Sequence, residues 1–152
     1  AFEVTPPLTV VKQKMKLNFA KPDSDSFCLN ALLGFDNGSD PSGQVFILSL
    51  GGASVMVTLD AKGRGATAPG EVPAGKIKLG QKGKTGLWAL SAKFKRGSWQ
   101  DAWAAWGLVN GDVPKPGQMV TVLATVQIGA LHFGDWSSMV YTAKADKSGT
   151  AK

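Results

Sequence analysis

The sequence predicts an all-β fold: a β-sandwich or partly closed barrel made of two pseudo-symmetric repeats, with one short α-helix near 98–107. Three observations carry this. First, segments recur in the same order: Lys14-Met15-Lys16-Leu17 returns as Lys76-Ile77-Lys78-Leu79, Gly43-Gln44 as Gly117-Gln118, and 54–63 (SVMVTLDAKG) as 138–149 (SMVYTAKADKSG). Second, short apolar runs, several alternating with period two, are separated by turn-forming clusters. The 19 glycines and 8 prolines concentrate between those runs. Third, 43% hydrophobic and 18% charged residues over 152 positions suit one globular domain with a real core. A unit of half this length has difficulty burying its inner faces alone, whereas two copies can bury them against each other. The expected organisation is a single domain over 1–152, with repeats at 12–65 and 76–149 and an extended arm at 1–11.

The arm (AFEVTPPLTVV) contains Pro6-Pro7, which forbids helix and interrupts any central strand. Over 12–19, Lys12, Lys14, Lys16 and Asn18 share one face, and Gln13, Met15, Leu17 and Phe19 the other. That is a half-buried strand with its lysines outward. A second strand is expected at 27–35, between KPDSDS and DNGSDPSG, both rich in turn formers. Segments 45–50 and 55–59 flank Gly51-Gly52 and read as a hairpin. Loop is expected over 60–75, as the seam between copies.

The second copy opens with 76–79 and 87–94, where Leu90, Ala92 and Phe94 alternate with Ser91, Lys93 and Lys95. Over 98–108 (SWQDAWAAWGL) Ser98 and Asp101 have capping-box spacing, and the alanines favour helix. Trp99, Trp103 and Trp106 then share one helical face, and Gly107 ends it. A hairpin from 120–128 to 139–143, around a loop at 129–137, completes the copy. Leu17, Leu29, Ile47, Val57, Leu79, Phe94, Val122 and Val126 are the expected inward residues. The architecture resembles immunoglobulin-like and related β-sandwiches, although the Cys–Trp–Cys hallmark of that fold is absent.

Charge and composition narrow the function classes. The net charge is +6, and 15 of the 17 basic residues are lysine. Sequence-specific nucleic-acid readers rely on the planar fork of arginine, so no specific nucleic acid is expected. The lysines recur at spacing two, which keeps a sheet face wet and discourages edge pairing. They bind anions only where separate strands bring them together. No run approaches the roughly 20 apolar residues of a membrane-spanning helix. The single cysteine, Cys28, lies between Phe27 and Leu29 and reads as a buried, inert thiol.

Catalytic signatures are missing. The only histidine, His132, stands in an expected hairpin turn, and neither a Gly-x-Ser-x-Gly elbow nor a phosphate-cradling glycine loop is present. One Cys and one His cannot supply the usual zinc ligands. Calcium needs only oxygen, and Asp23, Asp25, Asp36 and Asp40 would suit it if their two loops meet; the same residues are equally good turn chemistry. Five tryptophans are many for this length. Trp136, at an expected loop tip, together with Trp99, Trp103 and Trp106, forms the candidate aromatic surface for a carbohydrate or other ligand. The helix tryptophans equally suit a plug across the end of the core. Residues 2–11, from Phe2 to Val11, could pair with the domain's own sheet or join a neighbouring subunit in a homo-oligomer or larger assembly.

The first expectation is therefore a non-enzymatic structural or interaction module without a cofactor. It is expected to be exported by a bacterium to an extracellular, cell-surface or periplasmic site. A carbohydrate- or ligand-binding β-sandwich using its exposed tryptophans is the alternative, and an anionic surface is a further partner to consider.

Overall fold

The computed structural model describes residues 8–34, 42–68, 70–71, 73–81, 87–129 and 131–152. The described residues form ten strands and one short helix. These are β1 (Leu8–Asn18), β2 (Asp25–Gly34), β3 (Val45–Leu50), β4 (Ala53–Thr58), β5 (Arg64–Ala66), β6 (Ala74–Gln81) and β7 (Leu87–Gly97), followed by α1 (Gln100–Ala104), β8 (Val113–Ile128), β9 (Leu131–Lys144) and β10 (Ser148–Ala151). They make a single antiparallel sheet in the order β4-β3-β8-β9-β10-β1-β2-β7-β6-β5. Its edges, β4 and β5, carry no ladder to each other among the described residues, so the sheet is not closed. The edges nevertheless approach: a Cβ built on Gly65 would lie 2.6 Å from Val57 and 3.0 Å from the Thr58 carbonyl. The all-β sandwich-like expectation therefore holds, in the form of one sheet rolled around one core.

The ladder order has an internal regularity. Exchanging β1–β5 for β6–β10 turns the β1–β2 ladder into β6–β7, β3–β4 into β8–β9, and β1–β10 into β5–β6. The β2–β7 and β3–β8 ladders map onto themselves. The β9–β10 ladder maps onto β4 and β5, where the sheet is open. At residue level, Gly149 stands opposite Leu17, while the Leu79 N–H donates to the Gly63 carbonyl.

Alternation sets the inner face. Met15, Leu17, Phe27, Leu29, Ile77, Leu79, Leu90, Phe94, Val122 and Val126 all belong to one buried cluster. Ile47 does not: it is only partly buried, because Phe46, Leu48 and Leu50 take the inner positions of β3. The run Val45-Phe46-Ile47-Leu48 is apolar throughout, so period two could not choose its face.

Three further details differ from the sequence expectation. The 129–137 segment is not a loop, because β9 begins at Leu131 and pairs tightly back on β8. The seam at 60–75 contains β5, which adds a strand beside β6. Ser98 does not cap α1. Its hydroxyl donates to the Asp23 carboxylate, and the helix starts without a side-chain cap.

Packing rather than capping holds α1 in place. Trp103 is fully buried, and its indole N–H donates to the Leu50 carbonyl at 2.9 Å. Phe27 stands 5.1 Å from Trp99 and 6.4 Å from Trp103, with the two indoles 5.2 Å apart. Two glycines make room. A Cβ on Gly97 would fall 2.5 Å from Trp99, and one on Gly51, at φ 58°, 3.3 Å from Trp103. Gly51 thus serves both the turn and the close approach of the indole.

Tyr141 closes another part of the core. Its hydroxyl donates to the Val109 carbonyl at 2.7 Å, and burial pushes its pKa up to about 12. Between the unperturbed value near 10 and that raised value, the unfolded chain releases this proton and the folded chain keeps it. Stability should therefore decline as pH rises through this window, from a full contribution below about 10. Urea midpoints at pH 9, 10 and 11 check this. The decline should be shallower in Tyr141→Phe, which keeps the ring and lacks the titrating group; equal declines would contradict it.

Candidate anion-binding face

The outer surface of β1, β2, β7 and β6 is basic because register aligns lysines that are distant in sequence. Lys14 stands opposite Cys28, Cys28 opposite Lys93, and Lys93 opposite Lys76. One row over, Lys12 stands opposite Asn30, Asn30 opposite Ser91, Ser91 opposite Lys78, and Lys78 opposite Arg64. Lys16 lies beside Ser26 in the third row. Strand neighbours sit about 4.8 Å apart and same-face residues about 6.8 Å apart along a strand, so these basic residues form a lattice in which Lys76 and Lys93, and lysines two apart on one strand, fall inside a Debye length of about 8 Å, while Lys14 and Lys93 stand about 10 Å apart across β2.

Within this lattice lies a trough of about 650 Å³, rimmed by Lys14, Lys16, Lys76, Lys93 and Lys95. Ser26, Cys28, Ala66 and Ala74, all short side chains, also line it, as do the buried Phe27 and Phe94. A second hollow of about 550 Å³ shares Lys76 and Lys93 with it and extends to Lys78 and Arg64. Asp60 stands at that far end. Its Oδ1 accepts the Arg64 N–H at 3.0 Å and the Lys62 N–H at 2.8 Å, and these bonds hold its carboxyl below the usual carboxylate range.

One member of the cluster feels its neighbours. Lys14 is held below the ordinary lysine range, first by the Lys16 ammonium, then by loss of solvent and by Lys152. The only carboxylate on these four strands is Asp25, which is fully buried and faces away from the trough. Its Oδ1 accepts the Asn18 N–H at 3.1 Å and its Oδ2 the Trp99 N–H at 2.8 Å.

The opposite outer surface has the reverse character. Segments 45–50, 53–58, 118–128 and 131–141, on β3, β4, β8 and β9, hold a single Asp/Glu/Lys/Arg residue, Asp135. The Asp135 carboxylate accepts the Val10 N–H at 3.3 Å. Met56 (65% exposed), Met119 (71%) and Trp136 (61%) project from this uncharged side.

The residues singled out from sequence are dispersed. Trp99 and Trp103 are buried in the core, whereas Trp106 lies past the helix end with its ring 5.9 Å from that of Trp136. Trp136 is on β9 rather than at a loop tip. Asp23 and Asp25 are engaged with Ser98 and with backbone N–H groups, while Asp36 and Asp40 fall outside the described residues. No group of three or more metal-ligating side chains occurs among the described residues. Of the 2–11 segment, Leu8, Thr9 and Val10 pair with β2 of the same chain; residues 2–7 lie outside the described set. His132 is exposed, opposite Gln127.

Cys28 requires a correction. It is half-buried on the outer face between Lys14 and Lys93, not sealed in the core. Alternation places Phe27 and Leu29 inward and so turns Cys28 outward. The trough itself was missed because spacing-two lysines give the face of each strand but not which strands are neighbours. The pairing of β2 with β7 supplies that link.

No helix among the described residues is long and apolar enough to cross a membrane. Comparison of the chain with protein-family models, curated proteins and solved structures finds no match.

Proposed function

We propose that the protein is a non-enzymatic interaction module whose lysine face docks on an anionic partner. The observation that carries this reading is the convergence of lysines from β1, β6 and β7 around one trough, with no carboxylate from those strands beside them. The uncharged side of the sheet orients the molecule, so one side meets the anion and the other remains free for assembly. An exported bacterial setting at an extracellular, cell-surface or periplasmic site is part of the proposal. It rests on the many short strands, the lysine-coated faces and the proline-bearing arm.

Retention on a sulfonate matrix tests docking. Lys76→Gln/Lys93→Gln should elute at clearly lower salt than Lys115→Gln/Lys144→Gln, which loses the same charge from β8 and β9. Equal elution of the two double variants would mean that only net charge acts and would remove the proposed face.

A second reading, carbohydrate binding through aromatics, is favoured by the Trp106–Trp136 ring pair and the exposure of Trp136. It predicts that iodide quenches part of the tryptophan emission and that a bound sugar protects it. Emission that no sugar alters would discard this reading.

A further inference from the structure

We infer that the lysine face, the trough together with the Lys12–Asn30–Ser91–Lys78 row beside it, holds an acidic polysaccharide, a linear sugar polymer bearing carboxylate groups; the inference rests on the docking function proposed above and names its ligand. Shape gives the first reason. A face meant for a membrane is flat, whereas the lysines here share the lining of a depression with the short side chains of Ser26, Cys28, Ala66 and Ala74. A chain-like anion can lie in such a depression, and a bilayer surface cannot follow it.

The second reason is what stands between the lysines. Outward positions of β1, β2, β6 and β7 include no aromatic ring among the described residues, and Phe27 and Phe94, which border the trough, are almost fully buried, so bases have no exposed stacking platform. The ammonium groups provide point charges, without the planar forks that read base edges. Ser26 lines the trough, and Asn30 and Ser91 line the hollows beside it; none of the three makes a side-chain hydrogen bond within the protein among the described residues. These groups can both donate and accept, and sugar hydroxyls require that capacity. The row Lys12–Asn30–Ser91–Lys78 places two such groups between two charges, across the strands. A polymer laid along that row meets charge, hydroxyl-binding groups and charge in turn.

The test is a titration of the whole chain with four probes at fixed salt: a linear polyuronate, the same polymer fully methyl-esterified, a mixed-sequence single-stranded oligonucleotide of equal charge, and phosphatidylserine–phosphatidylcholine vesicles. The polyuronate should bind about tenfold or more tighter than the oligonucleotide or the vesicles, and esterification should abolish binding, because the charge-dependent part of affinity goes with the carboxylates. Asn30→Ala/Ser91→Ala should weaken polyuronate binding several-fold while leaving oligonucleotide binding unchanged; thermal unfolding identifies any variant that has lost its fold. Equal or tighter binding of oligonucleotide or vesicles would overturn the polysaccharide and leave anionic docking standing. So would undiminished binding of the esterified polymer, or a polyuronate affinity indifferent to Asn30 and Ser91. Failure of every anionic probe would overturn the docking function itself.

Discussion

Replacing Trp103 with alanine should lower the unfolding free energy by about 3–5 kcal/mol, the range for deleting a large buried aromatic side chain. The indole is fully buried, contacts Phe27 and Trp99, and seals the core where α1 meets the β3–β4 turn. Alanine leaves a cavity that the rigid sheet cannot close and also removes the donor to the Leu50 carbonyl. Trp103→Phe separates the two losses: it retains most of the packing and should cost less, with about 1–3 kcal/mol for the unpaired carbonyl and the reduced fit. Urea unfolding reads both, as a fall in midpoint with little change in slope. A near-neutral Trp103→Ala would mean that the helix is a surface appendage and not part of the core.

The second large effect is expected at Asp25. Alanine there removes both acceptors and strands the Asn18 and Trp99 N–H groups, each costing about 1–3 kcal/mol when buried without a partner. These bonds tie the end of β1 to the residue preceding α1, so their loss should loosen the same end of the molecule. Asn at this position keeps one acceptor oxygen and should recover part of the loss. Hydrogen exchange gives the local readout, with protection falling first at Asn18 and over 99–103. A uniform change across the sheet would instead indicate a general stability effect without this local link.

The inner face of the sheet was legible in the sequence wherever apolar and polar residues alternate strictly, as in Lys14 to Leu17 and in Leu90 to Lys95. It was not legible in β3, where both faces are apolar, nor at Ser98, where the hydroxyl finds Asp23 instead of a helix N–H. The Lys-x-Lys-Leu segments lie on β1 and β6, each paired with the strand that follows it, β2 and β7. The trough depends on long-range pairing. Lys14 and Lys93 are separated by 79 positions and brought to either side of Cys28 by ladders that no local pattern specifies. The same non-local fact moved Cys28 from an apparent core position to an electropositive outer one. Trp99 and Trp136 show the corresponding limit for aromatics, since composition counts indoles without assigning them to core or surface.

The salt dependence of binding to a linear polyanion tests most directly whether lysines from three strands act as one site. In the wild type, log affinity should fall steeply with log salt. Each neutralised contact among Lys14, Lys76 and Lys93 should reduce that slope by about 0.7–0.9, while Lys115→Gln and Lys144→Gln leave it unchanged. A slope that none of the three alters, or that all five alter equally, would contradict the account.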